Sequence, residues 1–438
     1  MRKFDNPRAA AIKSLTRWQR DAKYINLELD ASLDRASLTA NDRALYAALT
    51  YGVCERAITL DMQIARLTGR PTSSIDAETL AALRVGLYQI YFMDRIPPHA
   101  AVNETVSVSP ARSRGLVNAA LRRALREGSE LVLPENDGGV EYLSALHSIP
   151  RWMVESWMRD YPDNAAALCA AANRKPPVTL RVNTLRIKAD ELLARLTDTG
   201  ISASPNALCP DMIDIESAGV AISELYGYRE GYFIVQDAAS RMCVKVLDPK
   251  PHERVADVCA APGGKSLSCS IDMGDLGEVH AFDLHDNKLG LLRESAQRLG
   301  ISSITTAARD ARVPDPALAG RIDRVLCDVP CSGLGVIAKK PDIRYKNESD
   351  TAKLPEVQTA ILLASADYVK RGGVLVYSTC TLRRAENDDV VAEFLRRRED
   401  FVPEPFAVGE ISATDGTLTL MPHMHGTDGF YIAKLRRK

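Results

Sequence analysis

From Asp237 to the C-terminus, short β-branched runs alternate with segments of helical period, and no other feature of this chain restricts its fold as much. The runs that fit strands are Arg254–Cys259, Glu278–Leu284, Ile304–Arg309, Ile322–Cys327 and Gly373–Ser378. The clearest helices between them are Asp286–Leu299 and Leu354–Lys370, each followed closely by Gly, the usual helix stop. Such alternation predicts a parallel sheet with helices on both faces, an α/β fold. Gly429-Phe430-Tyr431-Ile432-Ala433 reads as a late, antiparallel strand.

The rest of the chain follows other patterns. Asn6-Pro7 is a helix start: Asn caps, and Pro at the first helical position loses nothing by lacking an N–H. Leu80, Leu83, Leu87 and Ile90 share one helical face, as do Leu45, Ala48, Leu49 and Gly52. Gly115–Arg126 predicts a basic amphipathic helix. Residues 127–142 are rich in turn formers and read as a linker. Helical material from Pro150 to about Asn173 gives way to a strand over Pro177–Asn183, a helix over Ala189–Thr199 and an extended stretch over Tyr228–Val235. This predicts a small α+β module. The expected domains are therefore 1–130, 143–235 and 236–438.

With 438 residues, two or three domains are expected. The N-terminus opens on charges with no apolar run after it, which predicts neither a signal peptide nor a membrane span and a cytoplasmic location. Nine cysteines, none in a CxxC pair, predict free thiols rather than a disulfide frame. Residues 1–130 carry 19 Lys+Arg against 14 Asp+Glu within a chain of formal charge −1. Any nucleic acid would therefore meet a local basic surface, not a uniformly basic protein.

In an open parallel sheet the ligand lies beyond the carboxyl ends of the strands, and chemically capable residues gather there. The first strand of the alternating region runs into Cys259-Ala260-Ala261-Pro262-Gly263-Gly264-Lys265-Ser266. Its paired glycines permit close backbone approach to a ligand at a helix start. Asp283 follows Gly264 by 19 positions, a spacing that suits the hydroxyls of an adenosine ribose. Asp310, Asp328 and Cys380 stand at later strand ends. The loop has neither GxGxxG nor GxxxxGK[ST], which argues against a dinucleotide and a P-loop nucleotide.

Asp328-Val329-Pro330-Cys331-Ser332-Gly333 and Ser378-Thr379-Cys380-Thr381 bear on the reaction. Cytosine C5 is a poor nucleophile. A thiolate adding to C6 makes C5 enamine-like and able to attack a methyl donor, which is nucleophilic catalysis. Cysteines beside an acid fit that route.

These blocks, together with Asp257–Ser266, resemble the signature blocks of the RNA 5-methylcytosine methyltransferases. Leu180-Arg181-Val182-Asn183-Thr184, Val235–Ser240 and Asp428–Ala433 match as well, so the resemblance covers residues 150–438. Val102–Val106 and Gly115–Arg123 resemble the NusB fold, and the combination is that of the RsmB (Sun/Fmu) group. The resemblance implies a Rossmann-like class I methyltransferase core preceded by an all-α NusB-like RNA-binding domain and the small α+β module. It implies S-adenosylmethionine as cofactor and one cytosine of small-subunit (16S) ribosomal RNA as substrate. It implies a monomer with no obligate protein partner. Residue by residue, Cys259, Ala260, Ala261, Pro262, Gly263, Gly264 and Lys265 would cradle the methionine and ribose, Asp283 the ribose hydroxyls and Asp310 the adenine amine. Asp328 would face the cofactor or the base, Cys380 would be the nucleophile, and Cys331 would assist breakdown of the adduct. Arg309-Asp310-Ala311 departs from the family's Gly-Asp-Gly-like turn in lacking the glycines.

Two rival readings make different demands. A DNA cytosine-5 methyltransferase would put its nucleophile at Pro330-Cys331, leaving Thr379-Cys380 unexplained and requiring a target-recognition region that is not evident. A noncatalytic RNA-binding factor would have eroded catalytic blocks. His423-Met424-His425 lacks the further ligands of a metal site, and none is expected.

Overall fold

The computed structural model describes residues 6–21, 25, 28–29, 38–217 and 220–438, so residues 1–5 of the expected first domain lie outside the described residues. The chain divides into two compact units. One comprises residues 1–173 with Lys340–Lys346; the other comprises 174–339 and 347–438.

The first unit is helical. Asn6 accepts from the amides of Arg8 and Ala9, as its capping role requires. The helices are Pro7–Asp21, Ala40–Thr68, Ala77–Phe92, Pro98–Val108 and Arg114–Arg126, followed by Val140–His147, Arg151–Asp160 and Ala165–Ala171. Thr39 caps the second through the Asp42 amide, and Gly69 at φ +67° closes it. Leu80, Leu83 and Leu87 are buried in the common core. In the second helix Leu49 and Gly52 of the predicted face are buried and Leu45 packs against the core, whereas Ala48 is exposed and the buried face extends instead to Tyr46 and Val53. A Cβ on Gly52 would collide with the Tyr88 ring, so this helix and Ala77–Phe92 approach closely there. The predicted linker is shorter than expected, because a helix starts at Val140.

Lys340–Lys346 completes this unit's core. Arg344, 1% exposed, donates to the carbonyls of Glu55 and Ala172 and to Asn173 Oδ1. Asp342 accepts from Trp18 Nε1 at 3.1 Å and the Ile25 amide at 2.9 Å, and Tyr345 packs edge-on against Trp18.

The second unit opens with a four-stranded antiparallel sheet made of β1 (Val178–Val182), β2 (Ser202–Pro205), β3 (Met212–Ser217) and β4 (Phe233–Val235), in the order β2-β3-β1-β4. The helix Ala189–Asp198 buries Leu192 and Leu196 in the same core as this sheet. The extended stretch predicted from Tyr228 is confined to β4. Gly227 at φ +85° and Gly231 at φ +72° put turns before it.

The main sheet has eight strands. β5 (Arg254–Asp257), β6 (Glu278–Asp283), β7 (Ile304–Ala308), β8 (Ile322–Asp328) and β9 (Val369–Thr379) are parallel, in the order β9-β8-β5-β6-β7. β10 (Phe401–Pro403), β13 (Thr417–Leu420) and β14 (Phe430–Arg437) extend the β9 edge antiparallel; β11 (Phe406–Val408) and β12 (Ile411–Ala413) form a separate hairpin. The parallel order and the antiparallel late strand agree with the sequence. The helix predicted to run to Lys370 stops at Ala366, since Val369 already pairs with Ile322 and the Gly372-Gly373 pair sits in a bulge of β9. Buried Val, Ile and Leu from β5, β8, β9 and β14 build apolar layers on both faces. The chain order reverses between β5 and β8, which is where such sheets open a crevice.

Candidate active site

The predicted residues converge at that crevice. The turn after β5 carries Gly263 at φ +116°, a conformation that favours glycine, and a Cβ there would meet Leu292 Cδ1 at 2.5 Å. This turn starts the helix Gly264–Asp272, with Lys265 in its first turn. Asp283, at the end of β6, accepts from the Ala261 amide at 3.3 Å and the His285 amide at 3.1 Å. Register places Asp328 of β8 opposite Ser378 of β9, and Ser378 Oγ donates to Asp328 Oδ1 at 2.8 Å. Lys265 Nζ donates to Asp328 Oδ2 at 2.6 Å. Burial opposes the lysine's charge, but Asp328 outweighs it and holds the ammonium protonated beyond the ordinary range.

Cys331 and Cys380, on the loops after β8 and β9, bring their sulfurs to 3.2 Å. Both thiols are free and partly exposed. The hydrogen bond between them draws the Cys380 pKa below that of an ordinary thiol despite burial, and the same contact pushes Cys331 well above it. The loops meet where glycine is required. Gly335 N donates to the Cys380 carbonyl, Gly335 O accepts from Gly429 N, and a Cβ on Gly335 would lie 1.8 Å from the Gly429 carbonyl oxygen. Gly335→Ala should therefore cost at least about 2 kcal/mol as an overpacked site, read as a lower urea midpoint. An unchanged midpoint would mean that the loop yields freely.

Two clefts share this floor. One, of about 500 Å³, is lined by Cys259, Asp283, Leu284, Asp310, Asp328, Cys331 and Cys380 among others. The second, about 210 Å³, is lined by Asp237, Asp257, Pro262, Gly264, Lys265 and Asp328 among others. Ala261 and Asp328 belong to both. Asp310 reaches the larger cleft, but Arg312 grips it, Nη2 to Oδ2 at 2.6 Å and Nε to Oδ1 at 2.9 Å, holding its pKa down at about 2. Beside the smaller cleft, Lys339 bridges Asp237 and Asp428, and burial pushes Asp428 up to about 7. His423 and His425 lie on the short helix Pro422–His425, with His425 Nδ1 2.9 Å from the Met421 amide.

Sequence reasoning missed the residues behind the cysteines: Gln358, Glu386 and Asn387, all fully buried. A Glu-Asn pair ahead of an amphipathic helix reads as a cap, and only the tertiary contacts set it apart.

A parallel sheet with this strand order, an antiparallel edge and a Gly-rich turn facing strand-end carboxylates defines a Rossmann-like methyltransferase core, here joined to a helical NusB domain. A profile of the 16S rRNA methyltransferase RsmB/F family matches residues 244–436, its RsmF/B-like ferredoxin-like domain 149–222 and the NusB family 5–126. The chain is 35% identical to the probable ribosomal RNA small subunit methyltransferase B of Bacillus subtilis, over 98% of each chain. It is 34% identical to the ribosomal RNA small subunit methyltransferase B of Yersinia enterocolitica, over 100% of each. Among solved structures, PH0851 is similar along 100% of both chains (26% identity, TM-score 0.80). A methyltransferase homolog protein from Pyrococcus horikoshii is similar over 68% of this chain and 98% of its own (26%, TM-score 0.59). This chain belongs to the RsmB/F methyltransferase family. No helix among its described residues is long and apolar enough to cross a membrane.

Proposed function

We propose that this chain methylates C5 of a cytosine in small-subunit (16S) ribosomal RNA, using S-adenosylmethionine, through a covalent bond from Cys380 to C6. The observation that carries the reading is the pair of thiols 3.2 Å apart on a floor shared with the Lys265–Asp328 ion pair. Methylating an exocyclic amine needs no nucleophile and would leave both cysteines without work.

The residues suit the cofactor. Asp283 and Asp310 offer acceptors for ribose hydroxyls and an adenine amine, and Leu284, 58% exposed on the cleft rim, offers apolar surface to a planar ring. The Cys259–Lys265 turn supplies close backbone and a helix start. When bound, S-adenosylmethionine supplies an electrophilic methyl group. The glycine-free Arg309-Asp310-Ala311 turn adds one requirement, that Asp310 share its oxygens with Arg312.

The target base enters unstacked or from a single strand, because its C6 face is otherwise covered. The Cys380 thiolate bonds to C6, and C5 becomes the nucleophile. Asp328 faces the ring nitrogen as the group that exchanges a proton with it, and the charge of the Lys265 ammonium behind it keeps negative charge from building on the ring. After methyl transfer the C5 proton departs to a base, and the electron pair of that C–H bond expels the sulfur. Cys331, donating to that sulfur, stabilises it as a leaving thiolate. Transfer of labelled methyl to unmodified small-subunit ribosomal RNA, followed by nucleoside analysis, tests the reading: label must appear in 5-methylcytidine, and label in any other nucleoside refutes it.

The three parts carry separate tasks in this reading: RNA docking in 1–130, support in 143–235 and chemistry in 236–438. The protein acts as a cytoplasmic monomer. On the helix Arg114–Arg126, Arg123 is engaged by Glu127 and the Leu67 carbonyl. Arg114, which donates to the Ser107 and Ser109 carbonyls, and Arg122, which donates to Asn118 Oδ1, line an open groove with Asn103. Replacing both with Ala should weaken RNA binding and reduce the log–log salt slope by about 1.4–1.8, the loss of two phosphate contacts. An unchanged slope would make this face a solvated one.

A further inference from the structure

Behind the cysteines lies a buried polar cluster that the proposed chemistry does not use. Glu386 and Asn387 are 0% exposed and lead into the helix Asp388–Arg397. Glu386 Oε2 accepts from the Ser332 amide at 2.8 Å and from Gln358 Nε2 at 3.0 Å. The same Gln358 amino group donates to the Pro330 carbonyl at 3.0 Å. The residues on either side of Cys331 are thus held from one point.

Asn387 does the same for the other loop. Its Oδ1 accepts from the Thr379 hydroxyl at 2.5 Å, and its Nδ2 donates to the Thr381 carbonyl at 3.0 Å, so both neighbours of Cys380 are fixed. Ser332 Oγ and Thr381 Oγ1, 2.7 Å apart, join the two loops. Tyr377 OH donates to the Glu386 carbonyl at 2.5 Å and fixes the turn. Burying a carboxylate and a carboxamide is costly where apolar side chains would fill the same space. What the polar groups add is direction: each hydrogen bond fixes one flank of a reactive residue. An error of about 1 Å in the placement of reacting groups can cost roughly 100-fold in rate.

We propose that the consecutive residues Glu386 and Asn387 are positioning residues, a double clamp that sets the distance between Cys331 and Cys380. The proposal rests on the two-cysteine reading above and adds the device that enforces it. Neither residue reaches the clefts; each acts through a cysteine-bearing loop.

The test is the pH dependence of Cys380 alkylation by iodoacetamide in the full-length protein, read by mass spectrometry, with methyl transfer to ribosomal RNA measured in parallel. Cys331→Ala gives the half-point of a Cys380 that has lost its partner. Glu386→Ala and Asn387→Ala should move the half-point up to that value. They should also lower kcat at least about ten-fold with the KM for S-adenosylmethionine unchanged within about two-fold. Removing the Glu386 charge would by itself shift the half-point down, so an upward shift reports geometry. Glu386→Gln keeps an acceptor for both donors and should restore both readouts to within about three-fold. A wild-type half-point in the alanine variants overturns the clamp even if kcat falls. Should those variants fail to fold, the isosteric Gln358→Met decides: an upward shift upholds the clamp and an unmoved half-point overturns it. If wild-type protein transfers no methyl to cytosine, the reaction reading fails, while the alkylation arm still judges the clamp.

Discussion

Cys380→Ala is expected to lose methyl transfer by on the order of 10⁴-fold or more and to leave no protein–RNA adduct on a denaturing gel, because C5 has no other route to nucleophilic character. Cys331→Ala is expected to fail differently. Its Cys380 still adds to C6 and the methyl still transfers, but the leaving sulfur has lost its hydrogen-bond donor. One methyl group per enzyme should appear quickly, turnover should stall, and an adduct band should accumulate. Folding should survive both changes, since each thiol is partly exposed and each loop is held by bonds from neighbouring residues. If Cys331→Ala instead abolished the adduct while Cys380→Ala kept activity, the roles would be reversed and the Pro330-Cys331 block would carry the chemistry, as in the DNA-type reading.

The second large effect is at Asp328. Its two oxygens are taken by Lys265 and Ser378 inside a parallel sheet, and its side chain is 28% exposed against 12% for Lys265. Asp328→Ala leaves a mostly buried ammonium without its counter-ion, which should lower stability by about 3–5 kcal/mol. Activity should disappear with it. Asp328→Asn separates the two consequences. It too removes the counter-ion, but its amide oxygen still accepts from Lys265 or Ser378, so the denaturation midpoint should fall by less than in Asp328→Ala. The rate should nonetheless fall by roughly 10²–10⁴-fold, because the group facing the ring nitrogen no longer exchanges a proton. Wild-type turnover in a folded Asp328→Asn protein would assign Asp328 to cofactor binding or structure alone.

The alternation of β-branched runs with helical segments made the main sheet legible before any coordinates, because a buried parallel strand has to be apolar and bounded by turns. Strand-end residues came with it: once β5, β8 and β9 are drawn, Lys265, Asp328 and Cys380 must lie at one edge. Errors came where a local pattern met a tertiary demand. Leu354–Lys370 has a continuous helical period, yet pairing with Ile322 claims Val369 for the sheet. Ala48 fits an apolar face by spacing, yet the buried face is made by Tyr46, Leu49, Gly52 and Val53, and Ala48 is left at its solvent edge. Glu386 and Asn387 were invisible as anything but a cap, since their partners Ser332, Gln358, Thr379 and Thr381 come from separate segments. Likewise no sequence pattern announces that Arg312 grips Asp310.

Lys340–Lys346 has a consequence for how this protein is made. About 170 residues separate Asn173 from Lys340, yet both belong to the helical unit. On a ribosome adding about 5–20 residues per second, the described helices of this unit wait roughly 8–30 s for Arg344 to emerge and reach Glu55, Ala172 and Asn173. Until then the backbone carbonyls that it will bind stand without that partner. The order of synthesis and the order of completion therefore differ: the portion translated first is finished only after β8 and the Cys331 loop have been translated.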